Sequence, residues 1–101
     1  MKTIAVPAKT NTSDALVDER FGRALFFAIC KDETLSFIDN PHHNDGSGVG
    51  AKVVELLATN GVNMIIAPEI GPKAMQLIEK LNIDYQKLEQ KEITVKQACK
   101  I

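Results

Sequence analysis

Residues 61–72 read Gly61-Val62-Asn63-Met64-Ile65-Ile66-Ala67-Pro68-Glu69-Ile70-Gly71-Pro72, and this stretch decides the fold class. Gly61 supplies the left-handed stop that ends a preceding helix. Val62 to Ala67 is a near-continuous apolar run, the pattern of a strand covered on both faces in a parallel sheet. Gly71-Pro72 opens the next helix, because the N–H that proline lacks would have no partner in a first turn. Helix, buried strand and helix in this order make a crossover unit, and strands joined by such units run parallel with right-handed connections.

Working outward, Val49, Val53, Leu56 and Leu57 lie at i, i+4, i+7 and i+8 and predict a helix over 49–60. Lys52, Glu55 and Thr59 fall on its opposite face. On the other side, Ala74, Leu77, Ile78 and Leu81 form the buried stripe of a second helix, and 83–86 a short edge strand. Thr94-Val95-Lys96-Gln97 has the form of a capping box and starts a short terminal helix. Toward the N-terminus, Thr3 to Pro7 reads as a buried strand ended by proline, and 8–19 as a long polar loop. Leu25 to Cys30 and Thr34 to Asp39 read as a hairpin about the polar turn Lys31-Asp32-Glu33. The order β-β-β-α-β-α-β-α specifies an α/β domain with a mixed five-stranded sheet and helices on its faces. If the first and third strands run parallel, the loops 8–23, 40–50 and 68–72 share one sheet edge. Open α/β sheets bind ligands at such an edge, outside the carboxyl ends of the strands.

Composition limits what that edge can serve. The chain has 101 residues, the size of one domain with one core. Twelve Lys+Arg against thirteen Asp+Glu leave a formal charge of −1, without the basic excess from which nucleic-acid binders draw their affinity. No apolar run approaches the ~20 residues of a membrane span, and the short apolar start does not make a signal peptide. The expected setting is cytoplasmic, without nucleic acid or membrane. Cys30 and Cys99 form no C-x-x-C pair. A cysteine-held zinc or Fe–S site is therefore not indicated. In a reducing compartment both are expected as separate, buried or half-buried thiols rather than a disulfide.

Three segments carry candidate chemistry. Gly46-Ser47-Gly48-Val49-Gly50 lies between a strand and a helix, where amides and the helix dipole favour an anion. It lacks the Gly-Lys-Ser/Thr of a phosphate loop and the G-x-G-x-x-G dinucleotide spacing, and it reads equally as a flexible turn. Arg20-Phe21-Gly22-Arg23 sets two guanidinium groups about an aromatic and a glycine, either as an anion site or as surface charge on a loop that Phe21 anchors. His42-His43 offers imidazoles, although the side chains of neighbouring residues diverge. The first strand lacks the carboxylates that a two-metal hydrolase would need, and no nucleophile elbow is visible. Catalysis is not indicated.

These segments, in this order, resemble a known family. Arg20-Phe21-Gly22-Arg23-Ala24 followed by Phe27, Gly46-Ser47-Gly48, Gly61-Val62-Asn63-Met64-Ile65-Ile66, Gly71-Pro72-Lys73-Ala74 and Thr94-Val95-Lys96-Gln97-Ala98 are similar to the signatures of the dinitrogenase iron–molybdenum cofactor biosynthesis family. That family comprises NifX-like proteins and the C-terminal domain of NifB-like proteins, and it includes small members outside nitrogen fixation. Arg20 stands where many members have His, and Asn44-Asp45 where a His often precedes the glycine loop. The resemblance implies an RNase-H-like three-layer α/β/α fold spanning 1–101. It implies non-catalytic carriage of an anionic metal–sulfur cluster, iron–sulfur or molybdenum-containing, or of a cofactor precursor, as cargo. Arg20, Phe21, Gly22, Arg23, Gly46, Ser47, Gly48 and Gly71 would line its site, and His42 and His43 would be the metal ligands. A cluster donor or acceptor protein is the implied partner, and the chain itself is expected to be a monomer or weak homodimer. The alternative is a module for another anion, such as a phosphorylated metabolite.

Overall fold

A computed structural model describes residues 2–46, 48–90 and 92–100. The elements are β1 (Thr3–Ala8), β2 (Phe26–Lys31), β3 (Thr34–Asp39), α1 (Val49–Thr59), β4 (Met64–Ala67), α2 (Pro72–Lys80), β5 (Asp84–Lys87) and α3 (Val95–Cys99). They form one five-stranded sheet of order β3-β2-β1-β4-β5. β2 is antiparallel to β1 and β3, while β1, β4 and β5 are mutually parallel. β3 therefore shares the direction of β1. The α/β class and the mixed five-stranded sheet are those that the sequence specifies. Among the described residues, no helix is long and apolar enough to cross a membrane.

Strand side chains alternate between two core clusters, as a period of two requires. Ala5, Phe27 and Ile65 pack against Val53, Val54 and Leu57 of α1 and Ala74 and Ile78 of α2. Their neighbours Val6, Ala28 and Ile66 pack on the other face against Val95 and Ala98 of α3, with Ala15 and Val17. Three layers result: two helices, the sheet, and a thin cover made of α3 and the segment before Asp18. The capping box of α3 is present, with the Gln97 amide donating to Thr94 Oγ1 at 3.1 Å and the Thr94 amide to Gln97 Oε1 at 2.8 Å.

Four expectations change. Pro7 lies inside β1 rather than ending it, opposite Phe27. It is tolerated there because the β1–β4 pairing covers only Ile4 and Ala5, so the missing N–H breaks no ladder on that side. The 8–19 segment is partly ordered, through isolated bridges Ala8–Val17 and Leu16–Thr94. In α2, Ala74 and Ile78 are buried and Leu77 is half-buried, but Leu81 is 41% exposed. It follows the last helical residue as the C-cap, so the helical period no longer applies to it. Finally, Cys30 and Cys99 are joined in a disulfide, with Cα atoms 6.6 Å apart. A sequence separation of 69 hides this proximity, which arises because α3 folds back over β1 and β2.

The packing makes Ile78, 1% exposed, the anchor of α2. Ile78→Ala is expected to lower the unfolding free energy by ~2–5 kcal/mol, and Leu81→Ala by less than ~0.5 kcal/mol. Urea denaturation of both variants measures the contrast.

Candidate functional site

Because β1, β3 and β4 point the same way, the loops that follow them emerge at one edge. There they enclose an open groove of about 690 Å³. Arg20, Phe21, Gly22 and Arg23 form one bank, Gly48 to Ala51 the second, and Glu69 to Ala74 the third, with Glu19 at the rim. Six of the sequence-derived candidates, Arg20, Phe21, Gly22, Arg23, Gly48 and Gly71, thus meet in one place. Ser47 lies outside the described residues.

The glycines explain how three banks come so close. A Cβ on Gly22 would stand 2.9 Å from Val49 Cγ1, and one on Gly50 3.0 Å from Ala74 Cβ. The first lets the Arg20–Arg23 loop lie on the start of α1, and the second lets α1 and α2 touch at their N-terminal ends. Gly48 takes φ +74° as the N-cap of α1, a conformation costly for a residue with a Cβ. Phe21 is 4% exposed and stacks edge-on against Phe27 at 5.5 Å, so it pins the loop into the core.

Electrostatically, the groove is dominated by helix ends. Neither α1 nor α2 has a side-chain cap or an acidic residue in its first turn, and Pro72 occupies the first turn of α2. The free first-turn amides and the two dipoles therefore place partial positive charge on the groove wall. Lys73 adds a full charge to that wall, opposed at the rim by Glu19 and Glu69.

The arginines are less available than their sequence suggests. Asp18, 2% exposed, takes the Arg20 amide at 2.9 Å, Arg20 Nε at 3.2 Å and the guanidinium terminus at 3.2 Å. This pairing raises the Arg20 pKa above its ordinary value, chiefly through the hydrogen bonds that its side chain donates to Asp18. Arg23 donates to the backbone carbonyls of His43 at 3.4 Å, Asp45 at 2.6 Å and Gly46 at 2.9 Å. It braces the 40–46 loop, and Gly46 is held by this brace instead of lining the groove. The companion brace is Asn40, 1% exposed. Its Nδ2 donates to Gly22 O at 3.0 Å and Ala24 O at 2.8 Å, while its Oδ1 accepts from the His42 amide at 3.0 Å.

His42 and His43 stand beside the groove and diverge. His42 Nδ1 donates to Asp45 Oδ2 at 2.8 Å, which also receives Lys52 Nζ at 3.3 Å; an ionised carboxylate can only accept. This carboxylate contact orients the ring and leaves Nε2 as the nitrogen that could meet a metal. His43 lines a separate depression with Leu25, Asp39 and Pro41. Among the described residues, no group of three or more His, Cys, Asp or Glu is placed to hold a metal ion. The cysteine pair lies at the far edge, Cys30 opposite Ile4 at the start of β1.

The profile of the dinitrogenase iron-molybdenum cofactor family matches residues 2–100. The chain belongs to this family. An uncharacterized protein of Methanocaldococcus jannaschii is 36% identical over 89 residues, 83% of this chain and 72% of that protein. Among solved structures, the apo form of the orange protein from Desulfovibrio gigas superposes with a TM-score of 0.90 at 32% identity, over 99% of this chain and 85% of that one. A Thermotoga protein provisionally assigned as NifB superposes with a TM-score of 0.83 at 27% identity, again over 99% and 85%. The family membership thus agrees with the ordered motifs in the sequence.

Sequence reasoning passed over Asn40 and Asp18 as site builders. Both are short polar residues just after a strand or bridge, where side chains tie loop backbone. Asn40→Ala leaves two carbonyls and one N–H without partners, and is expected to cost ~2–4 kcal/mol in denaturant unfolding. Asn40→Asp, which turns an oxygen toward the Gly22 and Ala24 carbonyls, should be no better above pH ~4.

A second expectation concerns acid. The hydrogen bonds from His42, then from Lys52, hold the Asp45 carboxyl below the usual carboxylate range. This stabilisation is full above the ordinary value of ~3.9 and is lost as pH falls through the lower folded-state value. His42→Ala removes the leading cause, so the Asp45 midpoint should rise toward ~3.9, as a carboxyl-carbon NMR titration would show.

Proposed function

We propose that the protein binds an anionic metal–sulfur cluster or an iron–molybdenum cofactor precursor as cargo, in the groove, and hands it on without catalysing a reaction. The observation that carries this reading is the convergence of two helix N-termini without side-chain caps, together with Lys73, on one groove walled by small residues. Amides and ammonium groups grip the anionic sulfide or oxo surface of a cluster, not a bare metal cation. Fe–S proteins that keep their clusters use several thiolates. A grip by hydrogen bonds and charge is weaker and reverses more easily, which suits transfer to an acceptor protein. His42, oriented by Asp45, would add one direct ligand at the edge of the cargo. Membership of the family and the likeness to an orange protein solved in its apo form support a ligand-carrying role.

The runner-up is a phosphorylated metabolite, since the same amides would take phosphate. Anaerobic incubation with ferrous iron, molybdate and sulfide, followed by desalting, separates the two. Retained iron or molybdenum with visible absorbance is the expected result. Lys73→Glu should reduce that retention at least ~10-fold, and the variant should stay folded because an acid in the first turn of α2 favours the helix. A protein that retains no metal but binds a sugar phosphate, with shifts at the Gly22, Gly48 and Gly71 amides, would replace this reading with the second.

A further inference from the structure

The cysteine pair lies at the opposite edge from the groove, yet a short chain of contacts joins the two. Cys99 is the last residue of α3, a helix of five residues. So short a helix has little stability of its own. It is held by burial of Val95 and Ala98, by its capping box, and by the bond to Cys30. The segment leading into α3 is paired with the segment before Asp18: Val17 N donates to Ile93 O at 2.9 Å and Val95 N to Ala15 O at 2.9 Å, about the Leu16–Thr94 bridge. One residue further, Asp18 receives the Arg20 amide and guanidinium, and Arg20 begins the first bank of the groove.

We infer that the Cys30–Cys99 disulfide is a redox latch, which in its oxidised form holds α3 against the sheet and through it orders residues 15–20, the segment that leads into the first bank of the groove. Cys30 is 3% exposed and Cys99 half-buried, so an incoming thiolate reaches Sγ of Cys99 first. Its attack forms a mixed disulfide, and the S–S electron pair leaves with Cys30, which then takes a proton. The second thiol of a dithiol reductant attacks the mixed disulfide, releases Cys99 as a thiol and closes its own disulfide. Two electrons and two protons pass from the dithiol to the protein. An oxidised dithiol reverses the exchange. With the latch open, α3 keeps its small apolar contacts and its capping box but loses its covalent tie to the sheet, and its lead-in holds Ala15 to Val17 less firmly. The latch itself rests on the fold; only its effect on cargo rests on the proposed function.

The test needs no cargo, so its result is independent of that reading. The intact chain is alkylated without reductant and weighed, which counts free thiols. Amide hydrogen exchange is then followed by NMR in the disulfide form and in the form reduced with dithiothreitol. A Cys30→Ser, Cys99→Ser variant serves as the form that cannot be oxidised. The readout is the exchange of Val17, Arg20 and Val95 relative to Ile65 at the sheet centre, because general destabilisation speeds all four alike. In the reduced and double-serine forms the ratio should rise at least ~10-fold over its value in the disulfide form. An unchanged ratio on reduction overturns the latch, as does recovery of two free thiols from protein exposed to an oxidised dithiol.

Discussion

The parallel direction of β1, β3 and β4 governs the rest of the molecule. A strand of fixed direction delivers the loop after it to one edge, and a helix that returns on the same face starts at that edge with its amides pointing outward. β2 is the one strand that runs the other way, and it sends its turn, at Asp32 and Glu33, to the opposite edge. Chemistry and closure are thereby separated. The groove gathers at the carboxyl ends of β1, β3 and β4, while the hairpin turn, the α1–β4 and α2–β5 connections and the disulfide lie toward the other end.

At the groove, position is maintained by groups that a reader of the sequence would assign to ligand binding. The Arg23 guanidinium is occupied by three backbone carbonyls, and Arg20 by a buried carboxylate. An anion entering the groove would compete with these contacts. Arg23 still carries its full charge, because carbonyls do not neutralise it, whereas the charge on Arg20 is offset by Asp18. The field that an anion meets therefore comes mainly from the two helix ends, Lys73 and Arg23. The first turns are rigid and already oriented, and preorganised donors cost little to use.

Elements with local signals were legible in the sequence. The apolar run from Val62 to Ala67, the Thr94–Gln97 capping box, and Pro72 at the start of α2 each follow from backbone geometry within a few residues. The meeting of the three loops at one edge was legible on the condition that the first and third strands run parallel, which the pairings fulfil. What was not legible depends on contacts between distant residues. Asn40 appeared as one more loop asparagine, because its partners Gly22 and Ala24 belong to another loop. Leu81 matched the helical period but stands beyond the end of α2. The pairing of Cys99 with Cys30 required knowing which face of the sheet receives α3. The occupation of both arginines is invisible to a count of charges.

The groove has banks of unequal stiffness. The α1 and α2 banks are joined where Gly50 meets Ala74, and both helices are anchored by fully buried side chains such as Leu57 and Ile78. The remaining bank descends through Asp18 and Val17 to a five-residue helix whose buried residues are Val95 and Ala98. Opening free energies within a domain follow such differences in buried apolar contact. On the proposed reading, the stiff side presents the amides that choose an anion, and the softer side sets how readily the anion leaves. A carrier needs both properties, and here they reside on opposite faces of one sheet. Affinity can then be tuned through the α3 face without disturbing the donors that recognise the cargo.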